Sequence, residues 1–122
     1  MTSSTPSLHI APPLIAQCDS LAEVRLRIDQ ADRLLVALLA ERAHYVRQAA
    51  RFKQTPADVQ APQRVQTVIG QALAQARQVG APPAVVEATY RAMITAFVRG
   101  EARELDRLAN RTVKVDAQAA AS

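Results

Sequence analysis

Three cations, Arg25, Arg42 and Lys53, lie on or beside one apolar stripe in a stretch, Ser20–Lys53, that contains neither proline nor glycine. An apolar stripe buries itself, and a cation carried into a buried face needs an anionic partner. On a helix, Arg42 and Lys53 are eleven positions apart, which returns them to within roughly 20° of one face and separates them by about 16 Å. Two long side chains leaning inward across that gap could grip one small dianion. Arg25 lies seventeen positions before Arg42, roughly 25 Å away and about 100° around the helix. It cannot easily serve the same pocket in the same chain. In an intertwined dimer it could complete the partner's pocket, giving two shared sites. The competing reading leaves Arg25 and Arg42 solvated, or paired with Glu23, Asp29 and Glu41.

Glu101 follows Gly100 in a later helical segment. A glycine inside a helix costs roughly 1 kcal/mol against alanine, so Gly100 suggests close approach of a ligand or another helix. Taken alone, Glu101 reads better as a surface partner of Arg99, Arg103 or Arg107. Other chemistry has little to draw on. His9 and His44 are isolated, no cysteine or histidine cluster suggests a metal, and no glycine-rich loop suggests a nucleotide. Serine and threonine are scarce inside the helical segments, so no triad is evident. An enzyme built from this set works by holding and polarising its substrate, with no metal, cofactor or covalent intermediate.

The elements that must position these residues are helices. Ser20 and Glu23 form a capping-box start, and Leu21, Ile28, Leu35, Leu39, Val46 and Ala49 recur at helical spacing. The first helix is therefore expected from about Leu21 to Lys53. Gln54–Ala61 reads as a loop marked by Pro56 and closed by Pro62, a good first helical residue. A second helix is expected over Pro62–Val79 with Gly80 as its stop, and a third from Pro83 to about Leu108. Residues 1–19, with Pro6, Pro12 and Pro13, read as a flexible arm, 20–109 as the folded domain and 110–122 as a flexible tail. The fold class is all-α.

A rod of about 33 residues is roughly 50 Å long, whereas a compact chain of this size has a radius of gyration of about 13 to 14 Å. No kink residue shortens it, so the apolar stripe is expected to be covered by a second chain in an intertwined homodimer. With no tryptophan, two tyrosines and two phenylalanines, the core is aliphatic and suits close-packed helices. The net charge of +4 is modest and spread along the helices, which fits small anions better than nucleic acid. Cys18 is the only cysteine, in keeping with a reducing cytoplasm. No run approaches the roughly 20 apolar residues of a membrane span, and the N-terminus is not a convincing signal peptide.

Read in order, these residues resemble the all-helical (AroQ-type) chorismate mutase family, in particular its isochorismate–pyruvate lyase branch. The resemblance covers roughly Leu21 to Leu105. It rests on Val24-Arg25…Ile28-Asp29…Asp32, Leu38-Leu39-Ala40-Glu41-Arg42, Tyr45-Val46…Ala49-Ala50-Arg51-Phe52-Lys53 and Ala61-Pro62-Gln63-Arg64-Val65. It implies an intertwined dimer of three-helix chains, with Arg42 of one chain and Arg25 of the other each gripping a substrate carboxylate. Lys53 would bond the ether oxygen whose C–O bond breaks, and Arg64 matches a basic residue at the start of helix two. Glu101 falls where many members carry a glutamine that donates to the same oxygen. A carboxylate cannot donate, so Glu101 must be protonated to act there. Phe97 stands where some mutases have a hydroxyl, and Pro62–Gln66 lacks the acid with which several mutases hold the ring hydroxyl.

The resemblance gives a first reading, a cytoplasmic chorismate mutase forming prephenate, and a second, an isochorismate–pyruvate lyase forming salicylate and pyruvate. A third, from a different class, is a non-catalytic helical dimer that binds a small anionic ligand.

Overall fold

The computed structural model describes residues 14–121, with side chains described as far as Arg111. Four helices stand among them: α1 (Leu21–Ala50), α2 (Pro56–Gln60), α3 (Pro62–Val79) and α4 (Pro83–Ala121). Most of the N-terminal arm lies outside the described residues, and 14–20 is non-helical.

Ser20 caps α1 as its sequence position implies, its Oγ accepting from the Glu23 amide at 3.1 Å. The Glu23 carboxylate reaches one residue further back, accepting from the Asp19 amide at 2.8 Å. At the other end α1 is shorter than the sequence reading. It closes at Ala50, and a tightened turn follows in which the amides of Arg51, Phe52 and Lys53 donate to the carbonyls of Gln48, Ala49 and Ala50. Lys53 therefore stands beyond the helix, and its distance from Arg42 is not set by helical geometry.

The segment expected as a loop contains α2, one helical turn with a complete capping box between Thr55 and Asp58. Ala61 then adopts a left-handed conformation (φ 33°, ψ 63°) that reverses the chain directly into Pro62. Alanine is uncommon there; its place between the end of α2 and the start of α3 leaves no room for a longer turn. Gly80 ends α3 at φ 75°, and the amides of Gly80 and Ala81 both donate to the Ala76 carbonyl. This glycine stop is the one that the sequence implies. The last helix begins at Pro83 as expected but continues past Leu108 to Ala121. Nothing after Gly100 breaks it, and alanine is the best helix former.

The core sits between α2, α3 and α4. Its buried side chains are Val59, Ile69, Ala72, Ala76 and Ile94. By contrast α1 contributes no buried residue, and every position from Val24 to Glu41 is exposed. Leu34, Leu35 and Leu39 are 68%, 58% and 44% exposed, too much apolar surface for one helix to leave in water. Among the described residues no helix is long and apolar enough to cross a membrane.

Ile69 is 3% exposed at the centre of the α3–α4 packing. Ile69→Ala is expected to lower stability by about 2–4 kcal/mol, measured as a reduced urea midpoint with an unchanged slope.

Candidate active site

The C-terminal part of α1, the α2 turn, α3 and α4 surround an open cavity of about 700 Å³. Arg42, Lys53, Arg64 and Glu101, drawn from four separate segments, all line it. Lys53 and Glu101 meet directly: the lysine Nζ donates to Glu101 Oε2 at 2.6 Å. The side chains are 26% and 9% exposed, so this is a partly buried pair across 48 positions of sequence. It corrects the reading of Glu101 as a surface partner of Arg99, Arg103 or Arg107. Arg107 instead bonds Glu104 at 2.6 Å, one turn along the same helix.

Arg42 reaches the wall of the cavity in a different way. Its guanidinium lies 4.9 Å from the centre of the Phe97 ring, a cation–π contact. Such a contact orients the arginine without neutralising it, so the charge stays available to an anion. Arg64, on the first turn of α3, is exposed and borders the cavity from the far side. Glu41 also lines the cavity, giving three cations and two carboxylates in its wall. With Lys53 and Glu101 neutralising each other, Arg42 and Arg64 face a single remaining acid.

Arg25 is not part of this cavity. It is exposed on α1, about 25 Å along the helix from Arg42. Gly100 does not mark a close approach within the chain, since a Cβ there would meet nothing within 4 Å. It borders a second opening of about 670 Å³ on the other side of Glu101. Among residues that sequence reasoning missed, Gln60, Gln75 and Tyr90 add polar groups to the main cavity. No spacing rule links them to Arg42. The Thr55–Asp58 capping box, however, follows a recognisable pattern, a hydroxyl residue three positions before an acid.

The described residues thus form helices that gather cations and one partly buried carboxyl around an open cavity, an arrangement able to hold a small anion. Residues 24–102 match the family described as chorismate mutase type II, and the chain belongs to that family. The isochorismate pyruvate lyase of Pseudomonas aeruginosa is 32% identical over 81 residues, which span 66% of this chain and 80% of that protein.

Removing Lys53 strands the Glu101 carboxylate in a nearly closed position. Lys53→Met is expected to cost about 1–3 kcal/mol, and adding Glu101→Gln to recover most of it. A double-mutant cycle by urea unfolding measures that coupling; additivity of the two changes would show the pair to be energetically idle.

Proposed function

We propose that this protein is a pericyclic enzyme for an enolpyruvyl-bearing ring dianion. The observation that carries the proposal is the Lys53–Glu101 pair facing Arg42 and Arg64 across one cavity. Arginines bind carboxylates through paired charge-assisted hydrogen bonds that fix orientation as well as affinity. A flexible enolpyruvyl arm held over its ring has already lost the freedom that makes the uncatalysed reaction slow. A cation placed at the ether oxygen stabilises charge as the C–O bond breaks. Lys53 is the group proposed for that role, with Glu101 donating to the same oxygen when it is protonated.

Of the two reactions, isochorismate elimination is the leading reading. The ether C–O bond breaks while a ring hydrogen passes to the enolpyruvyl methylene, so the ring leaves as salicylate and the arm as pyruvate. Its support is the lyase among the relatives, the absence of an acid from Pro62 to Gln66 and Phe97, rather than a hydroxyl, beneath Arg42. Chorismate rearrangement to prephenate is the second reading, favoured by the family description itself. It uses the same cations.

The proposal includes a second copy of the chain. The exposed leucines of α1 provide the contact surface, and Arg25 of the partner subunit would enter the cavity. The charge count favours this. With Glu41 and Glu101 both ionised the cavity wall carries one net positive charge, and a third arginine would bring it to balance with a dianion. Arg25→Ala and Lys53→Ala are each expected to abolish turnover, and refolding the two together to restore part of it. Each mixed dimer would then hold one intact site. No recovery in demonstrably mixed dimers would remove Arg25 from the shared site.

Glu101 accepts from Lys53; only a neutral carboxyl can donate to an ether oxygen. Glu101→Gln, whose amide is a permanent donor, is therefore expected to raise turnover, measured as kcat with the better substrate. The deciding experiment supplies isochorismate and chorismate separately and follows salicylate, pyruvate and prephenate. Salicylate and pyruvate from isochorismate support the lyase, and prephenate from chorismate the mutase. Silence on both returns the chain to a binding module.

A further inference from the structure

We infer that Asp58, which lies outside the cavity, is the positioning residue for Lys53. The inference rests on the proposed role of Lys53 and adds a residue that the role requires.

Lys53 sits in neither α1 nor α2, and a lysine on a free loop would not hold a fixed point in a cavity. Its own amide is tied backwards, donating to the Ala50 carbonyl at 3.1 Å. The chain after it is tied forwards by one carboxylate. Asp58 Oδ2 accepts from both the Gln54 and the Thr55 amides, each at 3.0 Å. The Asp58 amide in turn donates to Thr55 Oγ1 at 3.2 Å. The next residue, Val59, is 4% exposed and lines the same cavity as Lys53. Asp58 thus links the two residues after Lys53 to a side chain anchored in the core.

The side chain that does this is on the surface, where an aspartate usually has no fixed task. Its hydrogen bonds to the Gln54 and Thr55 amides hold its carboxyl below the usual carboxylate range, helped by the Thr55 hydroxyl and by the Lys53 charge. Among the described residues, Lys53 is the charged group that contributes to this shift. The hydrogen bonds are made by the ionised form, so the tie is present at neutral pH. It is lost as pH falls through that depressed value.

The test compares Asp58→Ala, Asp58→Asn and Thr55→Ala in the full chain with the better of the two substrates. Thr55→Ala removes the hydroxyl cap of α2 but leaves the Asp58 carboxylate on its two amides, so it controls for loss of the helical turn. Asp58→Ala is expected to lower kcat on the order of ten-fold, with a smaller change in KM. Thr55→Ala is expected to retain kcat. Asp58→Asn, which keeps an acceptor oxygen, is expected to recover part of the loss. If Asp58→Ala does not fold, the same comparison is made with Asp58→Asn alone. Wild-type kcat in a folded Asp58 variant overturns the inference.

A second readout does not depend on turnover. The Lys53–Glu101 coupling from a double-mutant cycle is expected to shrink in the Asp58→Asn background and to persist in Thr55→Ala. If the wild-type chain turns over neither substrate, this cycle still decides whether Asp58 positions Lys53. An unchanged coupling in Asp58→Asn counts against it.

Discussion

A long helix without a break constrains everything else in this chain. Thirty residues of α1 make a rod of about 45 Å, and α4, although longer, packs on α3 and α2 and leaves most of that rod uncovered. The chain packs α2, α3 and α4 into a small aliphatic core and lets α1 touch that core only near its C-terminal end. Two consequences follow from the same geometry. The cavity forms where α1 meets the core, and the rest of the rod is left with leucines facing water. A site at one end and an uncovered apolar face along the rest both follow from how little of α1 the other helices meet.

Within the cavity, charge is arranged in two ways. Lys53 and Glu101 neutralise each other at 2.6 Å, which makes the enclosed carboxyl tolerable without a ligand. Arg42 is held by the face of Phe97 and keeps its charge unspent. An incoming anion therefore meets an arginine already oriented and a lysine already occupied by an internal carboxylate.

Much of this was legible in the sequence, and the exceptions have physical reasons. The start of α1 follows from Ser20 and Glu23, the limits of α3 from Pro62 and Gly80, and the start of α4 from Pro83. Arg42, Lys53, Arg64 and Glu101 could be singled out, and the fold brings all four to one cavity. Helical spacing misplaced Lys53, because a tightened turn keeps the direction of a helix for three residues without its geometry. A five-residue helix is too short to show periodicity, so α2 was hidden although its cap was not. Glu101 was surrounded by nearby arginines, and local proximity concealed a partner 48 positions away. Residues beyond Asn110 looked like a tail because alanine and polar residues carry no apolar stripe, yet the same alanines propagate α4.

The left-handed turn at Ala61 gives the cavity's cations two unequal kinds of support. Arg42 and Arg64 are fixed to long helices, so moving either means moving an axis and everything packed on it. Lys53 hangs on a short segment bounded by Ala50 and Ala61, held by backbone hydrogen bonds and by the buried Val59 rather than by a long axis. Reshaping during descent would then fall unevenly. The two arginines are inherited with the scaffold, while the reach of the lysine depends on one short connection.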